Sequence, residues 1–324
     1  LIKNNFQLHY LGQDIKILPN MISHIHKIIS EVSIERLKSY VKSVEGLRHG
    51  WENYDALEEK AKFIEETLRS FNLKVENQNV PFHGRAYRNI IATTADIDKE
   101  KDGILLGAHY DAAWGSPGAD DNASGVAVLL EAANILSKQK LNRTIQFVAF
   151  TLEEPQPQTI NFLIGSDHFA REAKKQRKIY RAVFILESVG YTDEAEGSQV
   201  VPIFVRIPVP KKGNFLGVIA NRKSKALMNA FHSTASGYVP ELIVVSYKVP
   251  LSGRIIPETR FSDHASFWNC GYPALMLTDT AMFRNPHYHT YHDKHETLDF
   301  TFIVNVTKAV VSVIMKLSSD HEDG

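Results

Sequence analysis

Residues 103–150 read GILLGAHYDAAWGSPGADDNASGVAVLLEAANILSKQKLNRTIQFVAF. The fold is decided here. Gly103-Ile104-Leu105-Leu106-Gly107 and Ile145-Gln146-Phe147-Val148-Ala149-Phe150 are short runs rich in β-formers. Between them, Ser124 to Lys138 carries Val126, Leu129, Leu130, Ala133 and Leu136 on one helical face. Strands that are apolar almost throughout require a sheet covered on both faces. Strand, helix and strand in that order predict an α/β arrangement.

The pattern extends in both directions. Asn89 to Thr93 and Ala182 to Leu186 read as further strands, and helices are expected over roughly 166–175 and 302–317. Upstream, Ser33 to Ser43 opens on a capping serine with Ile34, Leu37, Tyr40 and Val41 at helical spacing. Tyr54 to Phe71 repeats that spacing with Leu57, Ala61, Ile64 and Leu68, and Val75 to Pro81 alternates like a strand. The expected fold is α/β: one domain with a central mixed, mostly parallel β-sheet and helices on both faces. No Pro/Gly/Ser-rich linker divides the chain, so residues 1–32 are expected as an N-terminal extension and 33–324 as the single domain. Pro155 to Ile164 and Pro250 to Arg260 are long for plain connections, as site-lining loops are.

Composition excludes several classes. The 324 residues balance 37 Lys+Arg against 37 Asp+Glu, which argues against a nucleic-acid footprint. Cys270 is the only cysteine, so no intrachain disulfide and no CxxC site can form. Its neighbours Trp268, Tyr272 and Pro273 suggest a buried, inert thiol. No uninterrupted apolar run approaches the ~20 residues of a membrane span. The chain starts at Leu1 without a signal-peptide pattern, and the compartment stays open, with export favoured over the cytoplasm. Oligomeric state is equally open. Ser124 lacks the glycine of a nucleophile elbow, and no GxGxxG or Walker loop occurs.

What remains is a series of acids and histidines at predicted strand ends. His109 and Asp111 share one side of an extended chain, so the carboxylate can orient the ring; a surface pair is the bland alternative. Asp120 and Asp121 stand at the mouth of the Ser124 helix, where capping is the plain role and bridging two cations suits Asp121. Glu153 and Glu154 follow a buried strand, which is costly unless their charge is neutralised; one can bind metal while the other moves a proton. Glu187 closes the next strand. Residues 285–295, NPHYHTYHDKH, hold four histidines, of which one or two are expected as ligands. Imidazoles with carboxylates form a nitrogen/oxygen donor set suited to zinc.

The array resembles the M28 zinc peptidases of the bacterial leucyl-aminopeptidase type. The resemblance runs through GAHYD (107–111), PGADDNASG (117–125), FTLEEP (150–155), ILES (185–188), SDHASFWNCGYPALML (262–277) and NPHYHT (285–290), covering roughly residues 35 to 315. It implies two zinc ions, with Asp121 bridging, Glu154 and His289 completing one site, and His109 and Glu187 completing the other. It implies Glu153 as general base and acid, Asp111 as the partner that orients His109, and His264 in support. The implied reaction is hydrolysis of the first residue from a peptide with a free N-terminus. Glu187 stands where many such aminopeptidases have Asp. The tyrosine that the best-studied members place before SDH is missing, and Arg260 is the expected substitute. Rival readings are a single-zinc glutaminyl cyclase, a carboxypeptidase of the same fold and, last, a non-catalytic ectodomain.

Overall fold

The computed structural model describes residues 7–10, 13–16, 19–94, 102–157, 161–203, 205 and 207–319. In chain order, β1 (Gln7–Tyr10) and β2 (Gln13–Lys16) form an antiparallel pair. Three helices follow: α1 (Pro19–Ile29), α2 (Ile34–Val44) and α3 (Tyr54–Ser70). Then come β3 (Lys74–Phe82), β4 (Arg85–Thr93), β5 (Gly103–His109), α4 (Gly125–Leu136), β6 (Ile145–Phe150), α5 (Ile164–Lys175) and β7 (Tyr180–Glu187). The remainder is β8 (Phe215–Ala220), α6 (Lys225–Tyr238), β9 (Ile243–Lys248), α7 (His264–Cys270), β10 (Ala274–Thr278) and α8 (Phe300–Ser319).

Strands β3 to β10 make one eight-stranded sheet in the order β3-β4-β6-β5-β7-β10-β8-β9. The pairs β5/β6, β5/β7, β7/β10 and β8/β9 are parallel, and the other three are antiparallel. The sheet is therefore mixed and parallel at its centre. Alternation along the strands divides the core in two. Ile104, Leu106, Phe147, Phe184 and Leu186 join a large cluster with α2, α3, α4, α6 and α8. Leu105, Val148, Phe150, Val183 and Ile185 face the other way, onto α5 and α7. Both faces are covered, which is why these strands are apolar almost throughout.

The boundary expected at residue 32/33 falls between α1 and α2. Ile25, Ile28 and Ile29 of α1 are buried in the same large cluster as the rest of the domain. The α8 helix, 20 residues long, is apolar enough to cross a bilayer by length and composition. A search for unbroken runs misses it because Thr307, Lys308 and Ser312 interrupt the pattern. In the fold it is a core helix, with Ile303, Val306, Val310 and Ile314 fully or almost fully buried. Cys270 ends α7 partly buried, not fully buried as its neighbours suggested, and burial pushes its thiol pKa up.

Candidate metal centre

Three adjacent parallel strands deliver the chemistry at their C-terminal ends. β5 ends on His109, β7 ends on Glu187, and Glu153 and Glu154 follow β6 by a few residues. Open α/β sheets build sites at such ends. Leu152 (φ 53°), Ser188 (φ 46°) and His289 (φ 57°) hold left-handed backbone next to or at these positions. Non-glycine residues persist in that region only where the surroundings impose it.

Asp121 arrives on a tight turn over 119–124 that leads into α4. Gly118 begins the turn at φ 60°, and a Cβ there would lie 2.3 Å from the Asp121 carbonyl oxygen, so glycine is required. Asp293 accepts the amides of Asp120 and Asp121 at 2.8 and 3.1 Å. The fully buried Arg48 donates to the carbonyls of Tyr110, Pro117 and Gly118 at 2.7, 2.5 and 2.8 Å. Asn122 ties the turn to β7: its Nδ2 donates to the Leu186 carbonyl at 2.8 Å, and its Oδ1 accepts the Ser188 amide at 3.2 Å. Asp120 holds the surrounding loops, accepting from Asn285 Nδ2 at 2.7 Å and from the Gly190 amide at 2.8 Å. That is a wider structural duty than helix capping.

The side chains converge. His109 Nε2 lies 3.2 Å from Asp121 Oδ1, 3.5 Å from Glu187 Oε2 and 3.8 Å from Glu153 Oε2. His289 Nε2 lies 3.0 Å from Asp121 Oδ2 and 3.3 Å from Glu154 Oε2. Asp111 Oδ1 is 3.5 Å from His109 Nδ1, and its two oxygens accept the consecutive amides of Glu153 and Glu154 at 3.0 and 3.1 Å. Ser262 donates to Glu187 Oε2 at 2.8 Å. All six expected site residues besides Asp111 thus lie within this one cluster, with Asp111 directly behind it.

The donor set fits divalent cations. Two groups have ligand atoms within 4.8 Å of one another: His109, Asp121 and Glu187, and Asp121, Glu154 and His289. Asp121 belongs to both. Buried His109 Nε2, both Asp121 oxygens and Glu154 Oε1 make no protein hydrogen bond. Buried polar atoms without partners are expensive, and a cation satisfies them.

Electrostatics agree. Burial raises Glu153 well above the usual carboxylate range, and repulsion from Glu187 and Glu154 adds to it despite nearby His109. Burial and then Asp121 raise Glu154 to about 7 against the pull of His289. Burial alone would raise Asp121, but the flanking rings of His109 and His289 hold it low. Burial works against a charged His289, yet Glu154 and Asp121 lift it to about 11. Protons on these groups substitute for cationic charge, and bound metal would displace them.

Of the four clustered histidines, only His289 reaches the centre. His295 Nδ1 instead meets Glu45 Oε2 at 2.6 Å. His264 donates from Nε2 to the Thr259 carbonyl at 2.9 Å and stays outside the ligand groups. Arg260 does not serve as the tyrosine's substitute. Its guanidinium is held by the Ser252 carbonyl and Asn269 Oδ1, both at 2.7 Å. The side chain that sequence reading passed over is Tyr288, hidden in the histidine cluster. Its hydroxyl pKa is driven up by burial and then by Asp121, Glu154, Glu187 and Glu153, so it stays protonated beside four acids. Arg48 and Asp293 were missed as well. Arg48 had no motif around it, and Asp293 stood unremarked after His292.

Comparison with known proteins supplies the family. The Peptidase family M28 profile matches residues 89–314. The Escherichia coli protein YfbL, described as uncharacterized, is 34% identical over 272 residues, covering 81% of each chain. Leucine aminopeptidase 1 of Ajellomyces capsulatus is 24% identical over 322 residues, covering 92% of this chain and 74% of its own. The structure of Legionella pneumophila LapA aminopeptidase superposes with a TM-score of 0.73 at 19% identity, over 93% of this chain and 76% of that one. The Bacteroides thetaiotaomicron glutaminyl cyclase structure gives 0.66 at 20% identity, over 88% and 98%. With its match running from β4 into α8, the chain belongs to peptidase family M28, a family of zinc-dependent hydrolases acting on peptides.

Proposed function

We propose that this protein is a di-zinc aminopeptidase that removes the first residue of peptides with a free N-terminus. One observation carries the reading: the two oxygens of Asp121 serve two different histidines, His109 at 3.2 Å and His289 at 3.0 Å. A single carboxylate shared in this way supports two neighbouring ions, one with His109 and Glu187, the other with Glu154 and His289. Zinc bound there would polarise the scissile carbonyl and acidify a water.

The chain's own residues supply the rest. Glu153 is free of the ligand groups and lies 3.8 Å from His109 Nε2. Its raised pKa suits it to take a proton from the attacking water and return it to the departing amine. Asp111 fixes both the ring of His109 and the backbone that carries Glu153. Tyr288, protonated beside the acids, is placed to donate to the oxyanion.

Charge favours an amine over a carboxylate as the recognised terminus. The centre is rich in buried acids, whereas Arg48, Arg260 and Arg284, among the described residues, are engaged elsewhere. Arg48 and Arg260 bond the carbonyls already described, and Arg284 bonds Gln199 and the carbonyls of Tyr191 and Phe215. Zinc analysis with paired substrates tests the proposal. We expect two ions per chain, hydrolysis of a leucyl peptide and no cleavage of its N-acetylated form. Cleavage of the blocked peptide would exclude it. One zinc with cyclisation of N-terminal glutamine would assign the cyclase reaction instead.

A further inference from the structure

An apolar trough leaves the candidate centre across the sheet. Its floor is a row of residues in register on four neighbouring strands. Glu187 pairs with Thr278, Thr278 with Gly217, and Gly217 with Val245. Two residues along, on the same face, Met276 pairs with Ile219 and Ile219 with Tyr247. Val200, Val205, Phe261 and Phe283 close over it, and Tyr288 stands with Glu187 at the catalytic end. Among the described residues, Glu187 and Glu258 are the only charged ones that line the trough.

The trough is too long for one protein side chain. Four strands give three spacings, or about 14 Å, while a leucine or phenylalanine reaches on the order of one to one and a half spacings. It is also unsuited to a second peptide unit. β10 and β8 are paired on both sides, so their backbone groups are engaged in the ladder. Four polar side chains of the lining, Gln199, Thr259, Thr278 and Thr280, are likewise engaged. Gln199 Nε2 donates to the Val200 carbonyl and to Thr280 Oγ1, both at 2.9 Å, and Thr278 Oγ1 accepts the Thr280 amide at 2.8 Å. An amide lying there would forfeit its hydrogen bonds, whereas hydrocarbon loses nothing. Gly217 sits mid-floor, where any side chain would project into the trough.

We propose that the trough is an extended apolar subsite, and that the substrate carries beside its scissile bond an unbranched alkyl arm longer than any aliphatic protein side chain. This rests on the aminopeptidase reading. The test is a series of 2-aminoacyl anilides with linear side chains of two to ten carbons. For the zinc-loaded protein, kcat/KM should rise about threefold per methylene well past four carbons. Gly217→Val should move the optimum to short chains, and Val245→Trp, at the outer end, should cut only the longest. A wild-type optimum at four carbons with decline beyond it would overturn the proposal. If no member is hydrolysed, the aminopeptidase reading fails. The trough is then judged alone by calorimetric binding of 1-aminodecane against 1-aminobutane. At least tenfold tighter binding of the longer amine supports the subsite, and equal affinities overturn it.

Discussion

The ring of Tyr288 lies on the imidazole of His289, with centroids 3.8 Å apart and planes 16° from parallel. The stack holds a candidate ligand whose backbone sits at φ 57°. Burial, and after it the nearby acids, keep the phenol protonated. Removing the hydroxyl and removing the ring should therefore have different consequences. Tyr288→Phe should keep the stack and the zinc content while lowering kcat about 10²-fold, as loss of one oxyanion donor does. Tyr288→Ala should also weaken metal binding at the His289 site. Unchanged turnover in the Phe variant, measured at saturating zinc, would remove the phenol from the reaction.

Glu153 is separated from the metal-ligating role by geometry. Asp121, Glu154 and Glu187 each belong to a ligand group, and Glu153 belongs to none. Glu153→Gln preserves shape and removes the exchangeable charge. Zinc content should stay at the wild-type level while kcat falls by about 10²–10⁴. If zinc is lost in proportion to activity, Glu153 is a ligand and another base must be sought.

Legibility followed local pattern. His109, Asp121, Glu153, Glu154 and Glu187 could be picked out because each stands at or near a predicted strand end or helix mouth, and the family resemblance then implied their roles. The central strands were legible because burial on both faces leaves a near-continuous apolar run. β9 was not. It is an edge strand, half-exposed throughout, and its IVVSYK sequence carries no clean alternation of burial. β10 was read as part of a motif and not as a strand, because it is only five residues long. Arg48 was invisible for another reason. Its partners are backbone carbonyls 62 to 70 residues away, and no side-chain pattern encodes them.

That same arginine makes the third prediction. Arg48 is fully buried, and its charge is satisfied by carbonyl oxygens, with Asp111, Asp293 and Asp121 supplying distant compensation. Arg48→Met fills much of the volume but strands the carbonyl of Tyr110 and takes one of two donors from those of Pro117 and Gly118, which keep the amides of Gly46 and Ala123. Each buried acceptor left unpaired costs about 1–3 kcal/mol. The variant should lose several kcal/mol of stability by urea denaturation, and its zinc affinity should fall because the Asp121 turn is no longer braced. Stability equal to wild type would show that water or a shift of the turn replaces the guanidinium.

His264 predicts acid sensitivity. The ring is fully buried, edge-on to Trp268 at 4.4 Å, and its Nε2 proton is given to the Thr259 carbonyl. Burial lowers its pKa to about 3, with Arg260 assisting and the Thr259 carbonyl opposing. In the unfolded chain the ring has its ordinary value of about 6.5. Between those values the unfolded state binds a proton that the folded state refuses, so stability rises with pH across this window and is lost as pH falls through it. The slope from this one group approaches about 1.4 kcal/mol per pH unit and sums to a few kcal/mol. Chelator-treated wild type and His264→Phe, unfolded in urea between pH 5 and 7.5, isolate the effect from metal release. The variant loses the Thr259 bond and starts less stable, but its dependence on pH below 6.5 should be shallower. Parallel slopes would mean that the ring takes up its second proton, on Nδ1, in the folded state after all.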